Sequence, residues 1–272
     1  MISKATIKYI HSLEHKKYRM LEGVFLVEGH KSIHDMLLAG WKPRLIIATD
    51  EWTAPTSITC EVIRVTPAEL QKASLLQHPS QALAVFPLPT NASKDIIPPL
   101  SQRGDGGEVT PPRPLERGLG GEAFPLILAL DGVQDPGNLG TIIRTADWFG
   151  ITDIVCSMDT VDVYNPKVVQ ATMGSLARVR VHYTHLPAFL RSLQQDTPIY
   201  GTLLDGTDIY SEQLSGEGII IMGNEGNGIS EEVRKLVTHK LLIPHFSTPH
   251  PESLNVSIAT AITLSEFRHR VK

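Results

Sequence analysis

The sequence feature that most limits the fold is a set of short apolar runs, each followed by a polar turn. The run and turn pairs are 126–130 with 131–138, 219–222 with 223–228, and 241–243 with 244–252. Continuous apolar runs of this length are typical of parallel strands buried on both faces. Helical patterns between them predict an open, mostly parallel α/β sheet with helices on both faces. Ligands of such sheets bind at the carboxyl ends of the strands, so the three turns are expected along one edge.

The first 88 residues predict a separate, smaller α/β domain. Helical patterns cover 30–39 and 67–76. Apolar runs that indicate strands lie at 24–27, 45–48, 62–65 and 82–86. Residues 89–122 are rich in Pro and Gly and show no periodicity, which favours a flexible linker. The expected organisation is therefore a domain at 1–88, a linker at 89–122 and a second domain at 123–272.

Composition narrows the class of protein. Hydrophobic residues make up 42% of the chain and charged residues 20%, which describes a globular protein. The chain has no apolar run of the roughly 20 residues that a membrane helix needs. The two cysteines, Cys60 and Cys156, are far apart and imply no disulfide framework, so a reducing cytoplasm is expected. A net charge of −4 disfavours general electrostatic binding of nucleic acid but allows a local basic patch.

The N-terminus contains such a patch. If residues 1–20 form one helix, five basic or imidazole side chains fall along a single face. These are Lys4, Lys8, His11, His15 and Arg19. Two interpretations remain open at this point, a solvated helix face and a surface that contacts phosphates.

The turn after 126–130 leads into a helix that carries Asn138, Gly140 and Arg144. Asn138 can cap the helix. Arg144 follows six residues later, less than two helical turns away. A surface ion pair between Arg144 and Asp147 would be an ordinary structural explanation for this arginine.

Three glycines follow the run at 219–222, in the segment 223–228. Glycine at these positions allows the backbone to approach a ligand closely. The order G-x-x-G-x-G is not the dinucleotide-binding order, which disfavours a nicotinamide or flavin cofactor. Asn224 and Asn227 are explained if the turn uses left-handed backbone geometry, which asparagine tolerates. Glu225 has no such structural explanation.

The third turn delivers Ser253, Leu254 and Asn255 to the start of a C-terminal helix. Ser253 is the expected N-cap, which places Asn255 in the first helical turn. The histidines around this loop, His239, His245 and His250, lack the spacing of a zinc site, so no metal is expected.

Taken in order, these segments resemble the three motifs of the SpoU (TrmH-like) family of RNA ribose 2′-O-methyltransferases. The motif segments are Asn138-x-Gly140-x-x-x-Arg144, 222–228, Ile243-Pro244 and 253–256, supported by 164–169 and Gly174-Ser175. The resemblance covers residues 126–270. The first domain, through Tyr18-Arg19 and 25–29, is similar to the L30e-like substrate-binding domain of members that act on ribosomal RNA.

The resemblance implies a deep trefoil knot in the second domain, bound S-adenosyl-L-methionine and a homodimer formed by the catalytic domains. It implies cofactor contacts at Leu204, Gly223, Ile243 and Leu254. It assigns the catalytic and substrate-binding side chains to Asn138, Arg144, Glu225, Ser253 and Asn255.

The implied function is methylation of a ribose 2′-hydroxyl, with large-subunit ribosomal RNA as the expected substrate. Two roles for Arg144 stay open, general base and ligand of a phosphate or oxyanion, since a guanidinium remains protonated. The alternatives to the function are a non-catalytic RNA-binding or ribosome-assembly factor on the same fold and a tRNA ribose methyltransferase.

Overall fold

The computed structural model describes residues 2–89, 125–248 and 253–270, which separate into two compact units. Of the described residues, 2–89, 135–144 and 161–179 form the first unit, and the others form the second. Apart from residue 89, the predicted linker lies outside the described residues. No described helix is long and apolar enough to cross a membrane.

A four-stranded mixed sheet forms the centre of the first unit, as the apolar runs predict. Its strands are β1 (Val24–Glu28), β2 (Leu45–Ala48), β3 (Glu61–Arg64) and β4 (Ala82–Pro87), in the order β1-β4-β2-β3. Only β2 and β3 pair in parallel. The unit's helices are α1 (Lys4–Ser12), α2 (Lys16–Glu22), α3 (His30–Leu38), α4 (Pro67–Ala73), α6 (Pro166–Ala171) and the N-terminal part of α5 (Pro136–Trp148). The Thr66 side chain and Glu69 form a reciprocal capping box that fixes the start of α4.

The prediction of one basic face along residues 4–19 is wrong. The chain breaks after α1 and restarts as α2, and the Arg19 side chain is only 2% exposed. Its guanidinium donates to the carbonyl oxygens of Leu13 and Glu14, at 2.8 and 2.7 Å. Because these carbonyls lie in the break between the helices, Arg19 stabilises this break. Its buried side chain is not part of the basic surface.

Residues 161–179 belong to the first unit because they pack on its sheet and helices. The rings of Phe25 in β1 and Tyr164 lie 4.7 Å apart between centroids. Arg19 pairs with Asp162 at 2.5 Å, and Arg178 lies 3.7 Å from Asp35 in α3. The residues that precede and follow α6 are therefore anchored to the N-terminal sheet and helices within this unit.

A six-stranded sheet forms the centre of the second unit, and every neighbouring pair of its strands is parallel. The predicted parallel α/β sheet is thus confirmed. The strands are β5 (Leu126–Leu130), β6 (Asp153–Ser157), β7 (Arg180–Thr184), β8 (Ile199–Asp208), β9 (Gly218–Met222) and β10 (His239–Leu242), in the order β10-β8-β9-β5-β6-β7. The remaining helices are α7 (Leu186–Arg191), α8 (Glu231–Arg234) and α9 (Val256–Arg270). Strands β5 and β9 are buried along their whole length, as expected for central strands covered on both faces.

Candidate active site

The loops that follow β5 and β9 are joined by hydrogen bonds at the carboxyl edge of the second sheet. The Asp131 carboxylate accepts from the Ser230 amide at 2.7 Å, and Asn224 Nδ2 donates to the Gly132 carbonyl at 2.6 Å. The Gln134 amide lies 3.4 Å from Glu225 Oε2 and donates to it. Glu225 therefore faces the turn after β5, where the sequence predicted that these polar turns would meet.

The glycine-rich segment 223–228 is a closed loop organised by Asn224. The backbones of Asn224 and Gly228 exchange two hydrogen bonds of 2.9 and 3.0 Å. Asn224 Oδ1 also accepts from the amides of Gly226 and Asn227, at 2.9 and 3.0 Å. The expectation that Asn224 and Asn227 occupy left-handed geometry is wrong, since only Gly228 in this loop has positive φ. The side-chain hydrogen bonds of Asn224, and not its backbone geometry, explain an asparagine at this position.

Gly223 has no room for a side chain. A Cβ atom there would lie 2.3 Å from the Gly228 carbonyl carbon and from the Ile229 nitrogen. The close approach that the sequence attributed to a ligand is therefore required by the loop itself. It leaves the Gly223 backbone at the end of β9, directly after the buried Met222.

Strand β8 departs from β10 in the middle of its length. Gly201 pairs with Lys240, and the next pair joins Thr207 to Leu241, so residues 202–206 have no partners in β10. We call residues 202–206 the β8 excursion. A Cβ on Gly206 would lie 2.6 Å from the Leu241 carbonyl carbon, which shows how tightly the excursion returns to β10.

The apolar side chains at two predicted cofactor positions are exposed. Leu204 is 76% exposed and Leu254 is 47% exposed, while Ile243 after β10 is half-buried. Leu204 and Leu254 therefore contribute little to the core and leave apolar surface exposed.

The start of α9 is capped by Asn255 and not by Ser253 as expected. Asn255 Oδ1 accepts from the Ser257 amide at 2.9 Å and from the Ile258 amide at 3.3 Å. Ser253 and Leu254 precede the helix and are exposed. The structure thus gives Asn255 a capping role beside the catalytic role that the family resemblance assigns to it.

The start of α5 is capped by Asp135. Its Oδ1 accepts from the Asn138 amide at 2.7 Å, which is the N-cap to N3 bond of a standard cap. The alternative in which Asn138 caps the helix is therefore wrong. Two residues later, a Cβ on Gly140 would lie 2.4 Å from the Ala171 Cβ, so this motif glycine lets α5 and α6 approach each other.

Arg144 is exposed on α5, whose neighbouring Ile142, Ile143 and Ala146 are fully buried. Within the parts of the chain that the structure describes, its guanidinium makes neither an ion pair nor a hydrogen bond. The ordinary explanation of Arg144 as half of a surface ion pair is thus not supported.

The predicted side chains are distributed over both compact units. Asn138 and Arg144 belong to the first, and Glu225, Ser253 and Asn255 belong to the second. Sequence reasoning missed Asp131, the carboxylate that holds the Ser230 amide, because its signal is only a polar residue directly after a strand. Within residues 2–89, 125–248 and 253–270, no group of three or more His, Cys, Asp or Glu side chains is placed to hold a metal ion.

An open parallel sheet whose loops converge at the carboxyl ends of the strands defines an α/β ligand-binding domain. Residues 125–265 match the SpoU rRNA Methylase family, and residues 4–84 match the MRM3-like substrate binding domain. The chain belongs to the SpoU rRNA methylase family.

Individual relatives share the whole length of the chain. A TrmH-family protein of known structure from Porphyromonas gingivalis is 38% identical, with a TM-score of 0.79 and 99% coverage of both chains. The AdoMet-bound rRNA methyltransferase from Sinorhizobium meliloti is 27% identical, with a TM-score of 0.79 and coverage of 100% of this chain and 97% of that one. The 23S rRNA (guanosine(2553)-2′-O)-methyltransferase RlmP of Bacillus subtilis is 28% identical over 96% of this chain and 95% of its own length.

Proposed function

We propose that the protein transfers a methyl group from S-adenosyl-L-methionine to a ribose 2′-hydroxyl of large-subunit ribosomal RNA. The observation that carries the proposal is the order of the two matched family models, a substrate-binding model at 4–84 and a methylase model at 125–265. The likeness to RlmP spans both regions. The geometry of the second unit supports it, because Leu204, Gly223 and Ile243 follow the buried parts of three parallel strands.

The residues present fit S-adenosyl-L-methionine. The exposed Leu204 and Leu254 offer apolar contacts to an adenine ring, and the backbone at Gly223 and Ile243 offers polar contacts. This combination of an apolar surface with a few backbone donors and acceptors is typical of small-molecule sites. The cofactor, when bound, supplies a methyl group on a positively charged sulfur.

The chemistry requires a ribose oxygen held in line with that methyl group. The 2′-oxygen forms the new bond to the methyl carbon, the carbon–sulfur bond breaks, and sulfur keeps the electron pair. The hydroxyl proton leaves for solvent. We assign Arg144 to the negative charge that develops on the oxygen or to the adjacent phosphate, because an exposed guanidinium stays protonated. Asn138, Glu225, Ser253 and Asn255 would position the RNA, since alignment is the main task of this reaction.

We assign RNA binding to residues 1–88 and catalysis to residues 123–272, with 89–122 as the connection. The exposed lysines of the N-terminal helices, Lys4, Lys8, Lys16 and Lys17, are available for phosphate contacts. Replacing all four with Gln is expected to weaken RNA binding and flatten its salt dependence while cofactor binding persists. Unchanged RNA affinity would show that these lysines form only a solvated surface.

The active form is proposed to be a cytoplasmic homodimer formed by the second domain. The exposed face of α9 carries Ile258, with the partly buried Ala261 and Ile262 at helical spacing from it. An unpartnered apolar stripe of this kind suits a second copy of the same surface. Sedimentation should show a dimer that Ile258→Glu weakens, and a wild-type monomer with full activity would contradict this proposal.

The test of the function is a map of ribose methylation on total RNA from cells with and without the protein. Loss of one 2′-O-methyl group from large-subunit RNA, restored by purified protein with S-adenosyl-L-methionine, is the expected result. A lost methyl group in tRNA would indicate the tRNA alternative. An unchanged map, together with purified protein that binds RNA but not the cofactor, would indicate a non-catalytic RNA-binding factor.

A further inference from the structure

Asp205 lies in the β8 excursion, next to Leu204, and makes two ion pairs with other elements. Its Oδ2 atom lies 2.6 Å from Arg234 Nη2 in α8 and 2.9 Å from Lys240 Nζ in β10. The hydrogen bond from Lys240 is the largest influence on this carboxyl, and it holds the pKa of Asp205 below its usual range. A single carboxylate oxygen thus forms ion pairs with side chains from two separate elements.

The two elements that Asp205 joins both lead to predicted cofactor positions. Helix α8 begins at Glu231, three residues after the end of the 223–228 loop, whose first residue is Gly223. Lys240 precedes Ile243 by three residues on β10. Asp205 therefore connects the segments that contain Leu204, Gly223 and Ile243.

Among the described residues, few other polar contacts hold the excursion in place. It forms no ladder with β10, and its return at Gly206 depends on backbone contact with Leu241. Thr202 Oγ1 donates to the Ile221 carbonyl at 3.2 Å, which fixes only the beginning of the excursion. Leu203 packs against the hydrophobic core, whereas the Leu204 side chain is too exposed to anchor the segment by burial. The Asp205 ion pairs are therefore the polar contacts that fix the centre of the excursion.

We propose that Asp205, with Arg234 and Lys240, is a positioning residue that presets the β8 excursion for S-adenosyl-L-methionine. The inference rests on the proposed function, since the cofactor positions come from it. Asp205 itself does not touch the reacting atoms. Its effect is to hold the Leu204 backbone in register with the 223–228 loop and with the end of β10, so that less order has to be created on binding.

The experiment compares Asp205→Asn with Glu232→Gln in the full-length chain. Glu232 also lies on α8 and pairs with Arg191 at 2.9 Å, a similarly exposed ion pair that does not involve the excursion. Calorimetry should show S-adenosyl-L-methionine binding weakened roughly three- to tenfold by Asp205→Asn, the range expected for the loss of exposed pairs, and unchanged by Glu232→Gln. Melting temperature and RNA affinity should stay the same in both variants, which a merely structural role would not predict.

Two further readouts keep the proposal testable. Rising KCl should weaken cofactor binding more steeply in the wild type and in Glu232→Gln than in Asp205→Asn, because salt screens exposed pairs. Hydrogen exchange on the protein without cofactor should be faster at residues 202–206 in Asp205→Asn. If Asp205→Asn misfolds, Arg234→Gln and Lys240→Gln should each give a smaller effect of the same kind.

The outcomes separate this inference from the proposed function. If the wild type does not bind the cofactor, the proposed function is wrong, and the inference falls with it. If the wild type binds and Asp205→Asn binds equally well, the positioning role is wrong while the function stands. Equal losses in Asp205→Asn and Glu232→Gln would also overturn it, because the effect would then be one of general surface charge.

Discussion

Arg19 and Asp162 lie 143 positions apart in sequence and form an ion pair of 2.5 Å within the first compact unit. The Arg19 side chain is almost fully buried, and Asp162 also accepts a 3.1 Å hydrogen bond from the Tyr164 amide. The pair therefore joins α2 to the segment that leads into α6. A buried pair of this kind fixes which surfaces meet more than it adds stability.

Replacing Arg19 with Met should destabilise the first unit by about 3 kcal/mol, because the Asp162 carboxylate loses its cation and two backbone carbonyls lose the Arg19 donor. Urea unfolding monitored by Trp fluorescence measures this. Arg44→Met is the matched control, since Arg44 is exposed and donates to the Glu22 carbonyl. The control should stay within about ±0.5 kcal/mol, and an equal effect of the two variants would contradict the role of the buried pair.

Asp153 makes the stability of the second unit sensitive to acid. Burial by itself raises the pKa of its carboxyl, but hydrogen bonds from His182, Arg180 and Thr152 outweigh burial and hold the pKa well below its usual range. A carboxyl whose pKa is lower in the folded state stabilises the fold above its unfolded pKa of about 3.9, and this stability is lost as the pH falls below that value.

Asp153→Asn should therefore lower the free energy of unfolding by about 2 kcal/mol at pH 7, less than for a fully buried pair because Arg180 is largely exposed. The difference from the wild type should shrink as the pH is lowered towards about 3. Denaturation curves across this pH range provide the measurement. Exposed Asp196→Asn is the control, and a difference for Asp153→Asn that is independent of pH would refute the assignment.

Gly140→Ala tests the close approach of α5 and α6. Alanine is favoured over glycine inside a helix by about 1 kcal/mol, but the new Cβ would lie 2.4 Å from the Ala171 Cβ. The steric cost should exceed the gain in helix propensity, so the free energy of unfolding should fall by about 1–3 kcal/mol. Gly137→Ala in the same helix would place its Cβ 3.1 Å from Asp135 Oδ1, a side-chain atom that can shift, and should cost less than Gly140→Ala. Thermal melts of the two variants decide the matter, and equal stability would argue against the close contact.

Arg144→Ala should strongly reduce turnover while leaving the fold intact. Because the side chain is exposed and contributes nothing to the core, stability should change by no more than about 0.5 kcal/mol. Single-turnover methylation should fall by a factor on the order of 10² or more, with cofactor binding retained. Arg144→Lys should rescue poorly, since it loses the planar donor fork, and Asp147→Ala should be active. Normal methylation by Arg144→Ala, or its unfolding, would refute the proposed role.

The second sheet was largely predictable because its central strands are continuous apolar runs. Strand β7 was not predicted, since Arg180 and His182 interrupt its apolar residues. Both polar side chains bond to Asp153 in the neighbouring strand. The periodicity of apolar residues reports only on local structure, so it could not predict a partner that is 27 or 29 positions away in sequence.

The details of the candidate site were less predictable for the same reason. Ser253 and Asn138 are both good caps by residue type, yet Asn255 and Asp135 make the capping bonds. Several good capping residues lie close together in each segment, and local preference does not choose among them. Asp205 has no local signal at all, because its role depends on Arg234 and Lys240, 29 and 35 positions away.

The first unit is built from segments that lie far apart in the sequence, which affects how its N-terminal part can be exchanged between related proteins. Phe25 packs against Tyr164, and Arg19 pairs with Asp162, so the N-terminal sheet and helices are matched to a segment encoded much later in the gene. Cutting the chain at residue 88 would expose the Tyr164 ring and leave Asp162 without its cation. An N-terminal domain grafted from another methyltransferase would have to bring an arginine and an aromatic ring at the same two places, so these two contacts limit domain exchange to compatible relatives.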